Sequence, residues 1–121
     1  GSETRELCES PGVPWYKAFC FPSADAAIPD FSSLYSCPRF LFDSSAGGKE
    51  GGTGVTLAPY LVEKLSERGA LWLAGGLSDE NIAAAAERWR PELVDASSRL
   101  EKHPGKKDMQ KMKRFFASLG R

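Results

Sequence analysis

The chain is short of the residues from which metal sites, disulfide frameworks and polyanion-binding surfaces are built. It has one histidine and three cysteines among 121 residues, and its 16 basic side chains are matched by 16 acidic ones. Zero net charge gives no electrostatic case for nucleic acid or an anionic membrane surface as a partner. Cys8, Cys20 and Cys37 are an odd set without CxxC spacing, which argues against both a disulfide framework and a zinc site. The expectation is reduced thiols and no metal. No apolar run approaches the ~20 residues of a membrane span, and no signal peptide is visible, so no membrane partner and a cytoplasmic location are expected. Low-complexity tracts and internal repeats are also missing. The loop GGKEGGTG (47–54) matches neither GxxxxGK[ST] nor GxGxxG, and it reads as a flexible loop with Lys49 and Glu50 solvated.

What is present is alternation. Apolar runs of strand length at Trp15–Phe21, Arg39–Asp43, Ala70–Ala74 and Leu93–Ala96 are separated by helical patterns. Pro59 suits the first turn of a helix that continues to Arg68, with Gly69 as its stop. Ser78 reads as the N-cap of a helix through Ile82, Ala85, Ala86 and Trp89 that ends before Pro91. A last helix opens at Asp108 and puts Met109, Met112, Phe115, Phe116 and Leu119 on one face as core packing. Pro29 interrupts the stretch 24–37, where one or two short helical turns are expected. Short strands alternating with helices predict an α/β fold, a parallel sheet with right-handed crossovers.

Two strands lead into small-residue turns before helical sequence: Ala70–Ala74 into Gly75-Gly76, and Leu93–Ala96 into Ser97-Ser98. In a barrel of alternating strands and helices, the last two such turns commonly hold a phosphate on backbone N–H groups. Asp43 ends an apolar strand at the carboxyl edge, where barrel enzymes place catalytic groups, and a Gly-rich loop follows it. Spacing leaves it open as a general acid or as a turn-capping carboxylate. Asp95 likewise precedes its turn, where a carboxylate can cap the short helix that follows. Cys20, inside WYKAFCF, reads as a small buried hydrophobe, and Cys8 and Cys37 as structural. His103 in EKHPGKKD reads as a surface residue of a polar turn, and Lys102, Lys106 and Lys107 as solvated charges.

Four ordered motifs, WYKAFCF (15–21), FLFDSSAGGKEGGTG (40–54), AGGLSDEN (74–81) and VDASSRLEKHPGKKD (94–108), closely resemble the C-terminal end of phosphoribosylanthranilate isomerase, an enzyme of tryptophan biosynthesis. The resemblance implies the C-terminal half of a TIM (β/α)8 barrel, four parallel β/α units. A whole barrel needs roughly 200 to 250 residues and 121 accommodate about four units. Residues 1–12 then read as a tag remnant, Gly1-Ser2, plus part of the preceding helix, and 13–121 as the half-barrel.

The same resemblance implies the Amadori rearrangement of N-(5-phosphoribosyl)anthranilate to the carboxyphenylamino-deoxyribulose phosphate, without metal or organic cofactor. Asp43 takes the position of the catalytic acid, and Asp95 that of a substrate-binding carboxylate. Gly75, Gly76, Ser97 and Ser98 take the positions that bind phosphate. Arg99 departs from the pattern, since glycine usually follows the second serine. The family's base, a cysteine in K-x-C-G, and its substrate-carboxylate arginine match nothing here. A missing N-terminal half is therefore expected to complete the site, or self-association to cover the open edges and inner face of the four strands. The alternative is a non-catalytic phosphate-binding half-barrel that self-associates, with another phosphosugar isomerase or synthase of the same barrel type as a third reading.

Overall fold

A computed structural model describes residues 3–21, 27–37, 39–43 and 59–120. The elements run α1 (Arg5–Glu9), β1 (Lys17–Cys20), α2 (Phe31–Leu34), β2 (Phe40–Asp43), α3 (Pro59–Ser66), β3 (Trp72–Ala74), α4 (Ile82–Trp89), β4 (Leu93–Asp95), a 3-10 turn (Ser98–Leu100), β5 (Glu101–His103), β6 (Lys106–Lys107) and α5 (Met109–Ser118). Strands β1 to β4 form one parallel sheet in sequence order, as the alternation predicts, and β5 pairs with β6 as a separate antiparallel hairpin. Each strand is shorter than the apolar run that announced it.

Side chains alternate between faces, so alternate register rows separate into two environments. Phe19, Phe42, Leu73 and Val94 form one row, and all four belong to the core or pack against it. Helix α3 contributes Leu61, Val62 and Leu65 to that core, α4 contributes Ile82 and Ala85, and Phe21, Phe31, Leu71, Leu77, Leu100 and Phe115 complete it. Neighbouring rings among Phe19, Phe31, Phe40 and Phe42 lie tilted with centroids 4.3 to 6.5 Å apart, giving the helix side of β1 and β2 an aromatic filling. The opposite face carries the row Ala18, Leu41, Trp72 and Leu93. There Tyr16 lies edge-on to Trp72 at 5.2 Å, and both Tyr16 and Leu93 are exposed.

Several expectations are corrected. Cys20 is exposed, because the pleat puts it on the face opposite Phe19; Cys37 is the buried cysteine. EKHPGKKD is a hairpin, not a simple polar turn. On α5 only Phe115 is buried, with Met112 and Leu119 packed beside it, whereas Met109 is 62% and Phe116 48% exposed. The apolar stripe is wider than the core it meets. Regular α4 begins at Ile82, one turn after Ser78, whose carbonyl nonetheless accepts from Ile82 N–H at 3.0 Å. The stretch 24–37 keeps one short helix, α2, among its described residues. The loop 47–54 lies outside the described residues. Among the described residues no helix is long and apolar enough to cross a membrane.

Candidate functional site

The carboxyl edge of the sheet is a single register row, Cys20, Asp43, Ala74 and Asp95, one residue from each strand. Asp43 is half-buried and Asp95 exposed. Neighbouring strands lie about 4.8 Å apart, so the backbones bearing the two carboxylates are roughly 10 Å apart with one strand between them. The residue on that strand is Ala74, a small and buried side chain. Two acids flanking a small residue can grip a polar ligand from both sides.

Immediately after Ala74 the chain turns on Gly75 and Gly76, at φ of +85° and +64°. Two successive left-handed residues are strained for any side chain bearing Cβ, which is why the turn needs glycine twice. Asn81 ties it down. Its amide nitrogen donates to the Gly76 carbonyl at 2.9 Å, and its side-chain oxygen accepts from Ser78 N–H at 2.8 Å. Ser78 Oγ accepts from Glu80 N–H at 3.3 Å, and the nearly buried Asp79 carboxylate accepts from Arg114 of α5 at 2.7 Å. The last helix thus braces the glycine turn.

After β4 the chain takes an irregular step at Ser97 (φ −130°, ψ −90°) and closes a 3-10 turn through Leu100 N–H to the Ser97 carbonyl at 3.0 Å. The hairpin then folds Lys107 back. Its ammonium donates to the Ser97 carbonyl at 2.9 Å, to Ser97 Oγ at 3.3 Å and to Glu101 Oε1 at 3.0 Å. That hydrogen bond from Lys107, with a smaller contribution from Gly105 N–H, holds the Glu101 carboxyl below its ordinary pKa. Lys107 is therefore not simply a solvated charge, and it is the residue of this region that composition hid. The available signal was Pro104-Gly105, a turn that brings Glu101 and Lys107 face to face. His103 is exposed, as expected.

At the opposite end of the strands, Glu92 accepts from Arg39 Nε at 2.6 Å and from Trp72 Nε1 at 2.7 Å, linking the starts of β2, β3 and β4. These two bonds, Arg39's the larger, lower the Glu92 pKa. This cluster is separated from Asp43 and Asp95 by the length of the strands.

A parallel β/α sheet with acids and two small-residue turns at its carboxyl edge defines an α/β protein built of successive strand-helix units, an arrangement shared with barrels of alternating strands and helices. The chain belongs to the N-(5'-phosphoribosyl)anthranilate isomerase family, whose profile matches residues 1–118. It is 37% identical to the N-(5'-phosphoribosyl)anthranilate isomerase of Desulfitobacterium hafniense (strain DSM 10664 / DCB-2) over 97% of this chain and 62% of the relative. Among solved structures it is similar to the phosphoribosyl anthranilate isomerase of Thermus thermophilus. The TM-score is 0.77 and the identity 29%, covering 99% of this chain and 57% of that one. It also resembles a phosphoribosyl anthranilate isomerase in complex with reduced 1-(o-carboxyphenylamino)-1-deoxyribulose 5-phosphate, at a TM-score of 0.67 and 26% identity, covering 99% and 56%. The chain thus spans between half and two thirds of the lengths it matches.

Proposed function

We propose that this chain forms the C-terminal half, strands five to eight, of a (β/α)8 phosphoribosylanthranilate isomerase, and carries the acid and phosphate-binding parts of its site. The observation that carries this reading is the register row. Asp43 and Asp95 share one edge, and the two turns Gly75-Gly76 and Ser97-Ser98 leave that same edge from adjacent strands. Asp43 protonates the ring oxygen of the ribosylamine, opening the ring. Asp95 holds the substrate near its amine and sugar hydroxyls, and the two turns hold the phosphate through backbone N–H groups. Removal of the C2 proton requires a base, and the family's cysteine and its substrate-carboxylate arginine match no residue of these 121. Isomerisation therefore requires a further segment carrying those strands. No metal or organic cofactor enters this chemistry.

The test is the loss of anthranilate-type fluorescence from freshly made phosphoribosylanthranilate, with this chain alone and with an added N-terminal half. Turnover that appears only with the added half, and disappears with Asp43→Asn, supports the reading. No turnover in either mixture sinks it. The exposure of Tyr16 and Leu93 on the sheet face opposite the helices favours a second reading, association of two copies without catalysis. Sedimentation of the chain alone and with the added half separates the two.

A further inference from the structure

The turn after β4 has a support that the family pattern does not by itself explain, and it deepens the phosphate reading given above, on which it rests. Ser97 stands at ψ −90°, outside the helical and extended regions, so the orientation of the Ser97–Ser98 peptide needs an external hold. Its carbonyl has two lone pairs. Leu100 N–H takes one within the 3-10 turn, and the Lys107 ammonium, 2.9 Å away, takes the other. A planar trans peptide points its C=O and N–H in opposite directions. With the carbonyl drawn to Lys107, the Ser98 N–H faces away from the ammonium, and among the described residues it has no acceptor. The hairpin is what delivers the ammonium. Gly105, at φ +80°, makes the reversal, and the Glu101 carboxylate straddles it, accepting from Lys107 on Oε1 and from Gly105 N–H at 3.3 Å on Oε2.

We propose that Lys107 is a positioning residue for phosphate: by holding the Ser97 carbonyl it turns the Ser98 N–H outward and keeps it open to an anion. The ammonium stands behind the peptide and does not occupy the ligand's place. The substrate class is unchanged, a phosphate monoester, and the new element is the residue that presents the donor.

Glu101→Gln separates this role from mere bracing of the hairpin. It removes the ion pair but leaves the ammonium on the Ser97 carbonyl. The labelled full chain is titrated with inorganic phosphate, with the amides of Gly75, Gly76 and Ser98 followed by NMR, in wild type, Lys107→Met, Lys107→Arg and Glu101→Gln. The Lys107 side chain is 41% exposed, so its removal opens no buried hole, and thermal melts verify the fold. Lys107→Met is expected to weaken phosphate roughly three- to tenfold, the scale of one exposed charge-assisted hydrogen bond, and to shift the Ser97 carbonyl resonance before any phosphate is added. Lys107→Arg should recover part of the affinity, and Glu101→Gln should stay within about twofold of wild type. Unchanged affinity in Lys107→Met, or an equal loss in Glu101→Gln, overturns the inference while leaving the phosphate turns standing. A wild-type chain whose three amides do not respond to phosphate overturns the turns themselves, and the role of Lys107 with them.

Discussion

Lys17, 97% buried at the start of β1, donates a hydrogen bond of 2.7 Å to the carboxylate of Glu3, fourteen residues earlier in the chain. The same ammonium donates to the Glu3 carbonyl at 3.2 Å and lies 5.1 Å from the centre of the Tyr35 ring, while Tyr35 Oη donates to that carbonyl. Burial alone would push the Lys17 pKa down, but the hydrogen bond to Glu3 and the surrounding negative charge outweigh it, and the net direction is up. Glu3, led by its bond to Lys17, falls from 4.5 to about 2.

From this follows a pH dependence. A carboxyl whose pKa is lower folded than unfolded stabilises the fold fully above its unfolded value and loses that contribution as pH falls through the folded value. The window for Glu3 therefore runs from about pH 4.5 down to about 2. Glu3→Gln is expected to lower Tm at pH 6 and to converge with wild type as the pH approaches 2. A gap in Tm that stays constant from pH 6 to pH 2.5 would exclude the pair as a source of acid sensitivity. The raised Lys17 pKa acts at the other limb: its contribution is complete below the ordinary lysine value and fades only as pH rises through the raised one.

Lys17 also shows where sequence stops being a guide. In KAFC, Phe19 and Cys20 look equally fit for burial, yet the pleat gives Phe19 the helix side and leaves Cys20 outside. The lysine shares the inner side with Phe19 because its partners Glu3 and Tyr35 reach it from distant positions, and periodicity records no such partner. By contrast, Asp43, Ala74 and Asp95 were legible. Each ends a short apolar run before a turn, and parallel pairing of successive strands then puts such ends in one row. Strand limits were overestimated because Tyr16 and Trp15 are apolar for a different reason: their rings pack on Trp72 and Tyr35 outside the ladder.

Asn81 is the next point of leverage, since one half-buried side chain holds both the Gly76 carbonyl and the Ser78 N–H. Asn81→Ala leaves both groups without those bonds and is expected to cost about 1 to 3 kcal/mol. Because Gly76 belongs to the glycine turn, phosphate affinity should fall along with Tm in urea and phosphate titrations of the same preparation. Loss of stability with phosphate affinity untouched would detach the asparagine from the site.

Arg90 is the one described non-glycine residue at positive φ, +45°, and it ends α4 just before Pro91. Its Cβ is strained in that conformation, and a following proline narrows the backbone further. Its N–H still donates to the Ala86 carbonyl at 3.1 Å, so the cap survives replacement. Arg90→Gly is expected to stabilise the chain by roughly 0.5 to 1 kcal/mol despite the greater freedom of glycine when unfolded. Arg90→Ala, which keeps the Cβ, should not. Equal responses of the two variants in urea denaturation would show that the strain is relieved elsewhere.

On the function proposed above, the two carboxylates of the edge row should separate kinetically once an N-terminal half is added. A general acid acts on the bond that breaks, and its removal lowers kcat; general acid–base groups contribute about 10²- to 10⁴-fold. A carboxylate that holds the substrate equally in ground and transition states acts on KM instead. Asp43 is proposed for the first role and Asp95 for the second, with the Ala74 strand between them. In the complemented mixture, Asp43→Asn is therefore expected to lose kcat by about two orders of magnitude or more with little change in KM. Asp95→Asn should raise KM while keeping most of kcat. Both positions are at the edge of the sheet and outside the core, so neither variant should shift Tm by more than a few degrees. If Asp95→Asn removed kcat while Asp43→Asn spared it, the acid would belong to β4, and the assignment of roles along the row would have to be reversed.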